Sequence, residues 1–232
     1  MAAESLHEVH FPNESRAYRE ARNELLLAER ELRRQLERVA AQRRALPLGG
    51  ELKEDYLFEE VGPLTQGAPT AKQVKFSDLF GNKQTLIVYS FMYGPEMEDA
   101  CPSCTSILDG LDGESQHAIQ RVSFVVVAKS PPARILAHAR KRGWTDLRLL
   151  SSEKNTYNTD YRGENEKQQQ RPALNVFTRR DGKIFHTYCT ELMFVPADPG
   201  QDPRHVDLVW PVWSLFDLTP DGRDDWHPQL KY

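Results

Sequence analysis

Residues 85–105 constrain the fold of this 232-residue chain more than any other stretch. They begin with an apolar run of alternating β-branched and aromatic side chains, residues 86–93, and end in a Cys-Pro-Ser-Cys sequence formed by Cys101 and Cys104 with the two residues between them. Apolar runs of this length are typical of buried strands. A buried strand followed by Cys-x-x-Cys predicts a redox motif on an α/β fold.

Composition is that of an ordinary globular protein. Hydrophobic residues make up 39% and charged residues 28%, and the net charge of -4 gives no reason to expect nucleic-acid or membrane partners. No apolar run reaches the roughly 18 residues of a membrane helix. Residues 1–14 lack the basic region and the apolar core of a signal peptide, so we expect a cytoplasmic protein. In a reducing compartment, a close cysteine pair favours catalysis or metal binding over a structural disulfide.

An amphipathic pattern predicts a long N-terminal helix that ends near Leu46, with Asn13 or Ser15 as its cap. Its apolar positions recur every three or four residues, at Tyr18, Ala21, Leu25, Ala28, Leu32, Leu36 and Val39. Two interpretations of this narrow stripe stay open: an arm packed within its own chain, or a helix that joins two copies in a homodimer. We assign residues 1–50 to this helical arm and residues 51–232 to the main domain.

The main domain alternates predicted strands and helices. The predicted strands are a short edge strand at 56–58, the central strand at 85–92, a second buried strand at 122–128 and a short strand at 147–150. A helix begins at Pro102 and is interrupted by Gly110 and Gly113, and another spans residues 131–142 with His138 on its surface. Turns are predicted at 62–63 and at 67–69.

The second half of the domain is less regular. Residues 151–171 are polar and predict a long surface insertion. Asp181 and Gly182 predict the turn of a hairpin between strands at 172–177 and 183–188, and a C-terminal extension follows. Strand–helix–strand–helix followed by a hairpin is an α/β order in which the early strands run parallel.

This order, with Cys-x-x-Cys after the first central strand, resembles the thioredoxin fold. Finer motifs resemble an uncharacterised thioredoxin-like family, a domain of unknown function described as predicted dithiol–disulfide oxidoreductases. These motifs lie at residues 91–96, 180–182, 185–188 and 218–224. The resemblance implies a mixed β-sheet flanked by helices and an exchange of disulfides that requires no cofactor. Its partners would be a protein or small-molecule disulfide and a thiol reductant.

The two cysteines of the pair are expected to have different roles in disulfide exchange. Cys101 is predicted to cap the helix, where backbone N–H groups and the helix dipole stabilise a thiolate, so it is the expected nucleophile. Cys104, one turn on, is the expected resolving thiol. Pro172 matches the cis-proline that faces the pair in thioredoxin-like proteins and presents the preceding backbone to a substrate. The predicted substrate-contacting residues are Arg171, Pro172, Pro95 and Pro102.

The chain departs from the thioredoxin pattern in two places. Residues 94–100 lengthen the loop before the pair and add the carboxylates of Glu96, Glu98 and Asp99. These charges oppose a thiolate, but we expect them to be exposed and screened, so the pKa of Cys101 is expected to be moderately lowered. Where thioredoxins carry a buried carboxylate as proton acceptor, this chain has Tyr89 and Ser90, which leaves the proton relay unassigned.

One alternative is a non-catalytic thioredoxin-fold protein with a structural zinc site or a binding role. Three thiolates and one imidazole, from the cysteine pair with His186 and Cys189, make a valid tetrahedral site. Against it, His186 and Cys189 are three residues apart on a predicted strand. That spacing places them on opposite faces unless a bulge falls at Thr187.

A peroxiredoxin-like thiol peroxidase is the lower-ranked alternative. Peroxiredoxins share the fold and place a proline and a threonine before their reactive cysteine. Pro95 is close to the first of these positions, but Glu98 stands near the second. Its carboxylate would repel the negative charge that develops on a peroxide, so the sequence favours disulfide exchange.

Overall fold

The computed structural model describes residues 6–62, 64–65 and 70–231, so the predicted turns at 62–63 and 67–69 fall largely outside the described residues. The chain divides into two units, the first ending at Pro47 and the second beginning at Leu48. The first unit contains α1 (Arg16–Arg44), whose cap is Ser15: its hydroxyl accepts a hydrogen bond from the Tyr18 N–H at 3.1 Å. The choice between a packed arm and a dimerising helix stays a prediction.

The strands and helices of the second unit follow the predicted order. The strands are β1 (Leu57–Gly62), β2 (Thr70–Lys75), β3 (Thr85–Phe91), β4 (Ser123–Ala128), β5 (Leu149–Ser151), β6 (Ala173–Arg180) and β7 (Lys183–Cys189). The α-helices are α2 (Pro102–Ala118), α3 (Pro132–Arg142), α4 (Tyr157–Asp160) and α5 (Pro211–Phe216), with 3-10 turns at Phe76–Phe80 and Glu191–Phe194. Among the described residues of the chain, no helix combines the length and apolar character that crossing a membrane requires.

These strands form one sheet in the order β2-β1-β5-β4-β3-β6-β7. Strands β3, β4 and β5 run parallel, whereas β6 lies antiparallel on the other side of β3 and forms a hairpin with β7. Both turn residues of this hairpin, Asp181 and Gly182, have positive φ, as a tight turn between twisted strands requires. A parallel β3-α2-β4 unit beside an antiparallel hairpin is the arrangement of the thioredoxin-like fold, and α1 is its N-terminal helical extension.

Apolar side chains pack on both faces of the sheet. Tyr89 and Phe91 lie in the core formed with α2 and α3, whereas Leu86 and Val88 lie in the core on the opposite face. The 3-10 turn at Phe76–Phe80 and the chain around α4 cover that second face. Since both faces are covered, β4 is apolar from Phe124 to Ala128 rather than alternating.

Two predicted details of this architecture are wrong. The strand near residues 56–58 is not at the edge, because β2, which the sequence did not predict, pairs along its outer side and β5 along its inner side. Helix α2 is not interrupted at Gly110 and Gly113. A glycine inside a helix costs about 1 kcal/mol relative to alanine. Burial of Ile107 and Leu108 in the same helix offsets that cost.

Residues 151–171 lie only partly at the surface, where their polarity places them, because several of their side chains are buried. Tyr157 and Asn158 are fully buried, and Glu164 is 5% exposed. The Asn158 side-chain oxygen accepts from the Ser152 hydroxyl at 2.7 Å, and Glu164 accepts from Gln170 at 3.2 Å. Polar side chains in this segment therefore bond to one another inside the protein, since a buried polar group without a partner is costly.

Replacing Asn158 by alanine tests this internal network. Asn158→Ala removes the nearer acceptor of the buried Ser152 hydroxyl, which then has only the Ala128 carbonyl at 3.3 Å, and is expected to lower the free energy of unfolding by about 2 kcal/mol. Lys167→Ala, at an exposed position of the same segment, is the control and should change it by less than about 0.5 kcal/mol. Urea denaturation measures both, and equal effects of the two substitutions would contradict a buried network.

Candidate functional site

Cys101 lies where the chain leaves the end of β3 and enters α2. Its backbone N–H donates to the Met92 carbonyl at 3.0 Å, which closes the base of the loop between strand and helix. As predicted, Cys101 is the N-cap of α2 and Pro102 its first residue, a position where the missing N–H of proline costs nothing. The pair is thus fixed to the end of the central strand.

The sulfur atoms of Cys101 and Cys104 lie in different surroundings. Cys101 is partly exposed, whereas Cys104 is buried. A hydrogen bond donated by the Cys104 thiol lowers the pKa of Cys101 to about 6, with help from the backbone N–H groups of Cys104 and Ser103 and against the effect of burial. The same hydrogen bond, burial and the charge of Cys101 raise the pKa of Cys104 well above its usual value. At neutral pH the pair is a thiolate at Cys101 and a thiol at Cys104.

The acidic loop before Cys101, residues 94–100, is held in place by the guanidinium group of Arg134, which lies in the first turn of α3. It donates to four main-chain carbonyls of the loop, those of Gly94, Pro95, Met97 and Glu98. It also lies over the Tyr93 ring, 4.6 Å from the centroid. The loop carboxylates are exposed, as expected, and none of them contributes to the pKa of Cys101.

The predicted substrate-contacting residues lie around the same end of β3. Pro172 directly precedes β6, whose first residue, Ala173, pairs with Ser90 near the carboxyl end of β3. The N–H of Arg171 donates to the Gly163 carbonyl at 2.8 Å. Pro95 and Pro102 are exposed. Their contacts with substrate, and the cis bond before Pro172, stay predictions.

The zinc alternative fails on geometry, although not for the reason predicted. Val176 pairs with Tyr188 and Phe177 with His186, so Thr187 is an extra residue that bulges out of β7. His186 and Cys189 therefore share a face of the strand, and the prediction of opposite faces is wrong. Both residues line a cavity of about 490 Å³ that also includes Asn175.

That cavity lies on the other face of the sheet from the cysteine pair. Asn175 pairs with Cys189 in the sheet and is in register with Val88, and its side-chain oxygen accepts a hydrogen bond from His186 Nε2 at 2.9 Å. Val88 and Cys104 belong to the cores on opposite faces. In the part of the chain that the structure describes, no three His, Cys, Asp or Glu side chains are grouped to hold a metal ion.

His138 is not the surface residue that its helix predicts. Its ring packs against Phe91, Tyr93 and Trp144, and Nε2 lies 3.2 Å from the Thr105 hydroxyl. Burial, with the nearby positive charges of α3, lowers the pKa of His138 to about 4. The imidazole is therefore neutral at physiological pH and supports α2 one residue beyond Cys104.

Sequence reasoning missed the role of Arg134. One signal was available: Arg134 follows β4 closely, and the carboxyl ends of parallel strands meet at one edge of a sheet. That rule places the start of α3 beside the start of α2. No sequence signal indicates that a single guanidinium group reaches four carbonyls of the loop.

The fold and the cysteine pair define a thioredoxin-like protein with a Cys-x-x-Cys sequence at the start of its first crossover helix. The family described as "Bacterial protein of unknown function (DUF899)" matches residues 8–232, and the chain belongs to it. Comparison with curated protein sequences finds no significant match.

Solved structures of several proteins are similar to this one. The reduced 2-Cys peroxiredoxin of Plasmodium vivax is 16% identical, with a TM-score of 0.45 over 70% of this chain and 95% of that one. AhpC of Mycobacterium bovis is 15% identical, with a TM-score of 0.43 over 78% and 98%. A SCO1/SenC family lipoprotein of Bacillus anthracis is 16% identical, with a TM-score of 0.39 over 70% and 93%.

The unequal pKa values of the pair predict unequal alkylation rates. Iodoacetamide should modify Cys101 with a half-maximal rate near its pKa of about 6, and Cys104→Ala should move that midpoint upward because the thiol hydrogen bond is lost. Cys189, whose pKa is raised to about 11 chiefly by burial, should stay slow and serves as internal control. Peptide mass spectrometry from about pH 4 to about pH 9 measures all three thiols, and a Cys101 midpoint near about 8.5 would contradict the assignment.

Removing the guanidinium group of Arg134 should loosen the loop. Arg134→Met keeps the aliphatic stem but loses all four carbonyl contacts, so a glutamyl endopeptidase should cut after Glu96 or Glu98 about tenfold faster. Lys141→Met, an exposed position on the same helix, is the matched control and should be cut at the wild-type rate. Equal cleavage of the two variants would show that the loop does not depend on Arg134.

Proposed function

We propose that this protein is a thiol–disulfide oxidoreductase that exchanges disulfides through Cys101 and Cys104. The observation that supports it best is the asymmetry of the pair: the pKa of the accessible sulfur is lowered to about 6, while that of the buried sulfur is raised. A thiolate attacks disulfides and a thiol does not, so only Cys101 is ready to react at neutral pH. Two cysteines with only a structural role would not require different pKa values.

The reaction proceeds in two balanced steps. The Cys101 thiolate attacks one sulfur of the substrate disulfide, forms a mixed disulfide and releases the other substrate sulfur as a thiolate, which takes a proton from water. Cys104 then bonds to the Cys101 sulfur and releases the second substrate thiol. The pair loses two electrons and the substrate gains them. A thiol reductant restores the pair, and no cofactor takes part.

A substrate would approach at the end of β3, between the acidic loop and the start of β6. The loop is held by Arg134, and the opposite side is formed by Arg171 and Pro172, with the Arg171 carbonyl able to accept a hydrogen bond from an extended peptide. These surroundings suit a protein disulfide or a small peptide disulfide. Partners of this chemistry require neither a nucleic acid nor a membrane.

Turnover of insulin and of glutathione disulfide, with a thiol reductant supplied, tests the proposal. Cys101→Ser should fall to the uncatalysed rate because the nucleophile is gone. Cys104→Ser should stop at a mixed disulfide that mass spectrometry detects. Cys189→Ser, whose thiol lies on the other face of the sheet, is the matched control and should turn over at the wild-type rate.

The outcomes separate the proposed activity from its alternatives. Equal turnover by wild type and Cys101→Ser would eliminate the dithiol mechanism. Consumption of hydrogen peroxide without disulfide turnover would assign the protein to thiol peroxidases instead.

A further inference from the structure

Tyr89 and Cys104 meet in one buried cluster beneath the reactive sulfur. Tyr89 lies on β3 and is 1% exposed, and Cys104 lies one turn into α2 and is 2% exposed. The Tyr89 hydroxyl is close enough to the Cys104 sulfur for each group to change the pKa of the other. In the reduced protein this hydroxyl has no hydrogen-bond partner of ordinary geometry. A buried donor without a partner is costly, so its position beside the sulfur needs an explanation.

The groups that act on the pKa of the Cys104 sulfur are Cys101, Tyr89 and the backbone of Met92. None of these groups carries a positive charge. The titratable groups that face this region are Cys101 at the start of α2, Tyr89 on β3, and His138 of α3, which bonds to Thr105 and is neutral because burial lowers its pKa to about 4. A thiolate that forms at Cys104 therefore lacks both water and a cation, and burial disfavours it.

We propose that Tyr89 is a catalytic hydrogen-bond donor for the second exchange step, its hydroxyl donating to the Cys104 sulfur as negative charge develops there. This rests on the dithiol function proposed above. In that step the Cys104 sulfur bonds to the Cys101 sulfur, and the electron pair of the Cys101–substrate bond goes to the substrate sulfur. The Cys104 proton passes to that departing thiolate, or to water when the departing thiolate is too weakly basic to hold it. The Cys104 thiol already donates a hydrogen bond to the Cys101 sulfur, the atom to which the departing substrate sulfur is bonded in the mixed disulfide.

Tyr89 keeps its own proton throughout the step. Burial, followed by the nearby Cys104 sulfur, raises the pKa of Tyr89 well above its usual value. The hydroxyl therefore stays protonated at neutral pH and can donate to a sulfur anion in a charge-assisted hydrogen bond. A buried carboxylate would act differently, because it would accept the Cys104 proton itself. In this chain the neighbouring hydroxyl stabilises the negative charge on the resolving sulfur but does not take its proton.

Stopped-flow reaction with dithiobis(nitrobenzoate) separates the two exchange steps, because each releases one coloured thiolate. All proteins in this experiment carry Cys189→Ser, so that the third thiol cannot react with the reagent. The first phase reports attack by Cys101 and the second reports resolution by Cys104. We expect Tyr89→Phe to lower the ratio of the second rate constant to the first about tenfold, equal to about 1.4 kcal/mol of transition-state stabilisation. The midpoint of the pH profile of the second phase should move to higher pH.

Tyr157→Phe is the matched control. Tyr157 is also fully buried and its hydroxyl also lacks a partner, but it lies in the core on the other face of the sheet. Its substitution should leave the ratio of the two rate constants unchanged. A lowered ratio in both variants would show a general packing effect and overturn the proposal.

Different results would overturn the role of Tyr89 and the dithiol function. An unchanged ratio and pH profile in Tyr89→Phe would overturn the role of Tyr89 and leave the dithiol function standing. Absence of a second phase with Tyr89 intact would overturn the dithiol function itself. If Tyr89→Phe does not fold, fluorotyrosine at this position provides a second variant. Its more acidic hydroxyl is a stronger donor and should accelerate the second phase, and an unchanged rate would overturn the proposal.

Discussion

A hydrogen bond from the Cys104 thiol to the Cys101 sulfur gives two chemically identical side chains different pKa values. It lowers the pKa of the acceptor, raises that of the donor, and requires both sulfur atoms to stay on one side of α2 at the end of β3. The surrounding structure maintains this geometry. The Met92 carbonyl fixes the start of the helix, and the buried Trp210 of the C-terminal region donates to Ser106 within the helix at 3.0 Å.

Local features of the sequence predicted the parts of this arrangement that depend on local chemistry. The uniformly apolar central strands, the proline at the first position of α2 and the Asp181–Gly182 turn each have a short-range physical cause, and each appears in the structure. The lowered pKa of Cys101 was also predicted, from its place at a helix start. The largest cause, however, is the Cys104 thiol rather than the backbone.

Features that depend on distant parts of the chain could not be predicted. Strand β1 is internal because β5 pairs with it, and this contact joins residues about ninety positions apart. Within residues 151–171, Asn158 and Glu164 accept hydrogen bonds inside the protein, and composition alone does not distinguish such buried polar side chains from solvated ones. The bulge at Thr187 changes which face Cys189 occupies without any glycine or proline to mark it. The proximity of the Tyr89 hydroxyl to Cys104 could not be predicted either, because the two residues lie on different elements, β3 and α2.

The central claim is that Cys101 and Cys104 form a reversible redox pair. Equilibration in glutathione buffers of graded potential, followed by acid quenching and intact and peptide mass spectrometry, tests it most directly. The account predicts one two-electron transition in which the protein loses two hydrogens and the Cys101 and Cys104 peptides become linked, while Cys189 stays reduced. Oxidation that never links these two peptides, or that reduction does not reverse, would contradict the account.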